Sequence, residues 1–302
     1  MLDDEFIIKP IAQLIKLFQR QNGLEYALSY FNEEVSSYCG AIDMLDCLTH
    51  RNGLNQLAEV FYDPLYQYDY ATKIYQHLID QSNLLSFDNE DNEEAIAWLH
   101  IHYFKLGLMN LKKSNYFAAR QYFISGISAL NKNQIIVDNY LGYNWIDLIV
   151  LNKRIGECYY KEQNYENSIN YYKEAYKLET NSNATNYYTK KIEVLSRLAL
   201  SEYFNNQIDS SKIHFQIVEE YYSKGDINYD RGTSYFYIDY SLYKYYNADG
   251  DANKAQKYLE DAFSHIPEKE HNEYLKDDNR LEYLHKYYYI HEIIETYNQN
   301  IR

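Results

Sequence analysis

The stretch LNKRIGECYYKEQNYENSINYYKEAYKLE, residues 151–179, decides the fold. Its apolar residues recur at the i, i+3, i+4, i+7 spacing of one helix face, on both sides of a polar turn. The first helix carries an adjacent apolar/small pair, Ile155-Gly156. The second carries a small residue, an aromatic and another small residue, Ser168, Tyr172 and Ala175. The same order returns in YFKLGLMNLKKSNYFAARQYFISGISAL (103–130), LSRLALSEYFNNQIDSSKIHFQIVEEYY (195–222) and DYSLYKYYNADGDANKAQKYLEDAFSHIP (239–267). A generic bundle accounts for amphipathic helices, but not for one ordered small/large pattern recurring four times. Recurrence of a two-helix unit at a near-constant period is the signature of a stacked repeat array.

Outward from these segments the chain stays helical. Phe6, Ile7, Ile11, Leu14, Ile15 and Phe18 form one stripe, and Leu24, Ala27, Leu28 and Phe31 begin another after Asn22-Gly23, which reads as a helix stop. Pro10 either opens the first stable helix or kinks it. A third helix is expected over about 40–50, with Asn52-Gly53 breaking before a fourth and Asp63-Pro64 capping a fifth. Ser86 to Glu94 is the clearest linker, its last acids leading a helix N-terminus. The expected organisation is an N-terminal helical segment (1–50), a repeat array (51–267) and a C-terminal capping helix (268–302). The Tyr287-Tyr288-Tyr289 run in that last helix is an alternative oligomer contact.

The repeats resemble the tetratricopeptide repeat, whose signature is W-x2-L-G-x2-Y, then A-x3-F, then P. Leu106-Gly107, Ile155-Gly156, Leu198-Ala199 and Leu242-Tyr243 take the L-G position. Ala119, Ser168, Ser211 and Ala255 take the small site, Phe123, Tyr172, Phe215 and Leu259 the aromatic, and Gly126, Ala175, Val218 and Ala262 the last small site. Tyr159 and Tyr246 match the first-helix tyrosine and Pro267 the terminal proline. A weaker match sits at Ala71, Tyr75 and Leu78. Counted from Ala71, the small sites fall 48, 49, 43 and 44 residues apart rather than 34.

The resemblance implies an all-α right-handed superhelix that binds a protein or peptide in a concave groove lined by the first helices. The groove residues it assigns include Phe104; Lys153, Glu157 and Tyr160; Ser196 and Tyr203; and Tyr240, Lys244 and Asn247. It implies no catalysis and no cofactor. The segments are also similar to Rap-type bacterial peptide receptors, which implies, as the alternative, a peptide-sensing regulator acting on a partner protein through residues 1–50. The chaperone-adaptor subfamily pairs a Lys with an Asn four residues later, but here Lys153 is followed by Glu157.

Composition narrows the field in the same direction. Among 302 residues there are 10 Gly and 3 Pro, too few to punctuate a β-sandwich or barrel. The 46% hydrophobic and 17% aromatic content supports a large core, and 38 residues are Tyr. A formal net charge of -15 repels nucleic acid, whose phosphates are neutralised by clustered Lys/Arg, and disfavours anionic membranes. By itself it makes a basic or weakly charged partner electrostatically easier. No window approaches about 18 uninterrupted apolar residues, so no membrane span is expected. Cys39, Cys47 and Cys158 are odd in number and lack C-x-x-C spacing, so no disulfide framework and no zinc site is indicated, and a cytoplasmic location fits.

The remaining chemistry-bearing patterns are weak. No GxxxxGK[ST] or GxGxxG loop exists. His100 and His102 point to nearly opposite sides of one helix, and His291-Glu292 lacks the second histidine of HExxH. Asp249, Asp251, Asn253 and Glu260 trace the outline of a calcium loop, but Lys254 stands where that loop turns on Gly. No metal site is expected.

Overall fold

The computed structural model describes residues 5–39, 45, 51–62, 67–85, 92–141, 148–178, 184–223 and 233–265. The expected helix over about 40–50, Asp63-Pro64, most of the Ser86–Glu94 linker, Pro267 and the whole of 268–302 lie mostly or wholly outside those residues. Among the described residues there are twelve helices and no strand. They are α1 (Glu5–Asn22), α2 (Leu24–Cys39), α3 (Arg51–Tyr62), α4 (Tyr68–Asn83), α5 (Glu93–Lys112) and α6 (Tyr116–Leu141). After them come α7 (Leu148–Lys161), α8 (Tyr165–Lys177), α9 (Ala184–Phe204), α10 (Ile208–Ser223), α11 (Thr233–Asp249) and α12 (Ala252–Ser264). Contacts divide the chain into two compact units, Met1–Lys113 with Gln121–Asn144, and Ser114–Arg120 with Trp145–Arg302.

In the first unit, Gly23 supplies the turn between α1 and α2 at φ +88°, a conformation that costs glycine little. Pro10 lies inside α1. Asn52-Gly53 is no break: both residues sit in the first turn of α3, where lost helix propensity matters least. The core of this unit runs through Ile15, Ala27, Phe31, Leu54, Phe61, Ala71, Tyr75 and Leu78, all at most 2% exposed. Phe31 meets Phe61 edge to face at 4.8 Å, and Phe61 stacks on Tyr70. Thus α1 and α2 share one core with α3 and α4.

A further sequence expectation is corrected in this unit. Cys39 is buried and disulfide-bonded. An odd count and absent C-x-x-C spacing argue against a framework, but they leave room for one bridge, and the cysteine argument for a reducing compartment lapses. His100 and His102 are both core residues, 1% and 3% exposed. Burial holds the His102 imidazole neutral down to about pH 3, with His100 and Lys105 adding to the effect.

The repeats share a geometry finer than the sequence pattern. In each, the residue seven places after the L-G glycine position closes the turn with positive φ: Ser114 (57°), Gln163 (59°), Asn206 (60°) and Gly250 (87°). The next residue starts the second helix. Asn115, Asn164 and Asp251 accept a hydrogen bond from the backbone N–H three residues on, the standard use of a short polar side chain at a helix start. Asp251, the heart of the calcium-like outline, is therefore a helix cap. The turns of the second unit repeat one further bond, from the N–H of Asn164, Gln207 and Asp251 to the carbonyls of Tyr159, Glu202 and Tyr246, at 2.8–3.0 Å.

Helix contact follows from the same frame. A Cβ built on Gly107 would come within 2.4 Å of the Phe123 ring, and one on Gly156 within 2.9 Å of Tyr172. In these two repeats the second helix therefore lays its aromatic ring across the bare backbone of the first, a place taken by Ala199 and Tyr243 in the other two. Ser168 and Ser211 add a bond that composition alone does not suggest: their hydroxyls donate to the carbonyls of Gly156 and Ala199, at 2.9 and 2.8 Å. The second unit's core then fills with tyrosine. Phe215 stacks on Tyr245 at 4.3 Å, and Tyr246 stacks on Tyr258 while both hydroxyls donate to Glu219.

Two outcomes check this fold. Gly250→Ala should cost about 1 kcal/mol in chemical denaturation, whereas Gln163→Gly should be neutral or stabilise by up to about 1 kcal/mol, because only glycine occupies positive φ without steric penalty. A neutral Gly250→Ala would contradict the turn geometry. Because the folded pKa of His102 is depressed from 6.5 to about 3, its contribution is intact above pH 6.5 and is lost as the unfolded imidazole gains a proton below it. Stability should therefore fall by an extra ~1.4 kcal/mol per pH unit below 6.5, and His102→Phe should flatten that slope in urea melts.

Candidate functional site

The chemistry of the second unit concentrates on its first helices, α7, α9 and α11. Lys153, Arg154 and Glu157 lie on α7, Glu193 and Arg197 on α9, and Tyr237, Tyr240 and Ser241 on α11. They are joined through buried contacts. Lys153 Nζ donates to Glu193 Oε1 and Oε2 at 2.9 and 3.0 Å, and Arg197 Nη2 lies 2.9 Å from Glu193 Oε1. Arg197 Nη1 reaches Glu157 Oε1 at 3.5 Å, and Arg154 Nη1 donates to Glu157 Oε2 at 2.6 Å. The Arg197 guanidinium lies over the Tyr237 ring at 4.3 Å, an arrangement that a planar cation favours.

Three cations and two carboxylates are thus withdrawn from water together. Glu157 is fully buried and Glu193 is 1% exposed. Burial alone would raise the Glu157 carboxyl, but Arg154 and Arg197 outweigh it and hold its pKa down to about 2. Burial lowers Lys153 to about 8, with Glu193 opposing the shift. Glu193 beside it thus favours the charged form of Lys153. Removing one partner of such a pair leaves a buried uncompensated charge, at a typical cost of roughly 3–5 kcal/mol, so the network fixes the register of α7 against α9.

The nine groove residues expected from sequence divide by depth. Lys153 and Glu157 form the network itself. Ser196 is fully buried, its hydroxyl donating to the Glu193 carbonyl at 2.8 Å and lying 3.4 Å from the Ser241 hydroxyl. Tyr240 is 4% exposed, with Lys244 Nζ over its ring at 5.6 Å. Tyr160, Tyr203 and Lys244 are half-buried and Asn247 is exposed. Tyr160 packs on Tyr165 and Phe204, and Tyr203 meets Tyr245 edge to face at 5.2 Å. Phe104 belongs to the other unit, where it is 1% exposed and packs on Phe123.

Arg154, Glu193, Arg197 and Tyr237 were not among the expected residues. A signal for them exists: Glu193 and Arg197 are an i, i+4 pair of opposite charge flanked by the apolar Val194, Leu195 and Leu198. Between Tyr160, Tyr172, Arg197 and Tyr240 a void of only about 10 Å³ remains, so the network floor is close-packed. Among the described residues no cluster of three or more His, Cys, Asp or Glu side chains is placed to hold a metal, and no helix is long and apolar enough to cross a membrane.

No protein-family model and no curated protein matches the sequence. Solved structures do match. The chain is similar to BtubC (BKLC) from P. vanneervenii at TM-score 0.50 and 14% identity, over 93% of this chain and 96% of that one. A putative kinesin light chain of Podosopora anserina with nearly identical TPR-like repeats matches at TM-score 0.45 and 10% identity, over 76% of this chain and 100% of that one. The TPR2AB domain of yeast Sti1, in complex with an HSP90 peptide, matches at TM-score 0.29 and 12% identity, over 99% and 100%. At 14% identity the likeness to BtubC is one of fold, and the described residues form an all-helical array of two-helix repeats.

Proposed function

We propose that the face formed by α7, α9 and α11 binds a peptide or protein segment, and that the protein is a non-enzymatic interaction module. The observation that supports this most is the layering of the face. Half-buried Tyr160, Tyr203 and Lys244 and exposed Asn247 stand over a floor whose side chains are locked by ion pairs and packing. A surface whose rotamers are already fixed loses little entropy on binding, and tyrosine offers apolar area with a polar tip.

The sign of the local charge sharpens the partner. Although the chain carries -15, this face brings Lys153, Arg154, Arg197 and Lys244 together against Glu157 and Glu193. The partner that fits is therefore a segment with tyrosine-compatible apolar side chains and at least one carboxylate, rather than the basic segment that total charge favours. The regulatory alternative, with residues 1–50 as an effector arm, draws no support from α1 and α2, which are built into a shared core with α3 and α4. A cytoplasmic setting is compatible with this reading but does not carry it.

The test is a displayed library of short peptides panned against the full chain, followed by anisotropy titrations of synthesised hits. Acidic-aromatic sequences should be enriched, and Lys244→Glu or Tyr203→Ala should weaken them about tenfold or more without shifting the melting temperature of Lys244→Glu. Enrichment of basic peptides, or affinities indifferent to both variants, would overturn the proposal.

A further inference from the structure

The repeat at 195–222 replaces a packing contact with a pair of ionisable groups. In two other repeats, tyrosine stands three residues after the L-G glycine position and again three after the small site. These rings stack within the repeat, Tyr159 on Tyr171 at 5.6 Å and Tyr246 on Tyr258 at 5.7 Å. In α9 and α10 the same two places hold Glu202 and His214, joined by a hydrogen bond of 2.7 Å. The fold therefore has an aromatic solution for this contact and does not use it here. Glu202 is fully buried, and a carboxylate withdrawn from water costs more to hold than a stacked ring.

The pair decides which nitrogen of His214 is free. An ionised carboxylate only accepts, so Nδ1–H donates to Glu202 Oε2 and Nε2 keeps its lone pair. Among the described residues Nε2 has no hydrogen-bond partner, and the His214 side chain keeps 25% of its surface in solvent while Glu202 keeps none. A carboxylate behind one ring nitrogen orients the imidazole and raises the basicity of the other nitrogen. Lys173 on α8 adds a cation at a half-exposed position, its Nζ 3.7 Å from Glu202 Oε1. An ammonium held beside the imidazole by the shared carboxylate disfavours a metal ion at Nε2 and favours an anionic reactant.

We propose that His214 is a phosphoryl-accepting histidine, modified on Nε2 by a donor whose phosphorus is held on nitrogen. The Nε2 lone pair attacks phosphorus, and the new N–P bond forms as the donor's P–N bond breaks. The donor nitrogen enters protonated and leaves as a neutral amine with the bonding pair, and nothing is oxidised or reduced. The ring becomes positive, its Nδ1 proton held against Glu202, while Lys173 offers a cation to the transferred group. Acceptance of a group needs one accessible nitrogen and no cleft. The site does not depend on peptide binding at the α7/α9/α11 face, since His214 and Lys173 belong to α10 and α8.

The experiment incubates the full chain with potassium phosphoramidate near neutral pH and follows phosphohistidine by phosphorus NMR and by peptide mass spectrometry without acid. Of the nine histidines, His214 should be modified first, at Nε2, and about tenfold or more faster than N-acetylhistidine. Glu202→Gln keeps a hydrogen-bond acceptor without its charge and should slow the reaction toward the N-acetylhistidine rate. Lys173→Ala should slow it about threefold with an unchanged melting temperature, and should leave reaction with the neutral reagent diethyl pyrocarbonate as it was. Reaction at Nδ1, a His214 rate no higher than that of N-acetylhistidine, unchanged phosphorylation in either folded variant, or equal loss of both reactions in Lys173→Ala would overturn the inference. The first two are read on the unaltered chain, so they decide even where Glu202→Gln fails to fold.

Discussion

The structure depends on how closely two helices of one repeat approach each other. That distance is set where the first helix has no side chain and the second lays an aromatic ring across it, as Phe123 does at Gly107 and Tyr172 at Gly156. The positive-φ residue seven places on and the polar cap after it aim the second helix so that the ring arrives there. Serines 168 and 211 then bond the backbone carbonyl beside the contact. The positive-φ turn keeps a constant offset in all four described repeats although the repeat length is not constant, and cap and bare-backbone contact join it at Gly107 and Gly156. Some of the extra residues lengthen helices, α6 to 26 residues and α9 to 21, away from the turn and its contact.

Function grows out of this constraint. Once each hairpin is rigid, the first helices of successive repeats hold a fixed register, and residues 40 apart in sequence, Lys153 and Glu193, can meet within the core. The cost of burying Glu157, Glu193 and Arg197 is offset by their mutual pairing, by Lys153 and Arg154 and by the Tyr237 ring, so the network tolerates little displacement of α9 against its neighbours. A surface standing on such a floor is already shaped before any partner arrives.

Much of the fold is legible in the sequence, because small and aromatic residues at fixed offsets leave a mark on one strand of text. Gly107, Ser168, Tyr172 and Ala255 can be placed by spacing alone. The site is less legible. Lys153, Glu157 and Tyr160 are reachable from the repeat frame, but Arg154 and Arg197 are not, since their partners are fixed by which helix comes next to them in space. Total charge carries no such information either: -15 does not tell that Lys153, Arg154 and Arg197 meet Glu157 and Glu193 in one buried network. Asn52-Gly53 and Cys39 show the same limit, local signals outvoted by tertiary context.

The most direct measurement is the unfolding free energy of Gly107→Ala and Gly156→Ala, with Ala199→Gly as the reverse change at the equivalent place. On an exposed helix Gly→Ala gains up to about 1 kcal/mol from propensity. At these two contacts overpacking should outweigh that gain and leave a net loss of roughly 1–3 kcal/mol, larger at Gly107, where the added carbon would sit 2.4 Å from the ring rather than 2.9 Å. Ala199→Gly should cost about 1 kcal/mol or less. Stabilisation by both alanines would mean that the rings do not rest on bare backbone, and the account of the fold would fail with it.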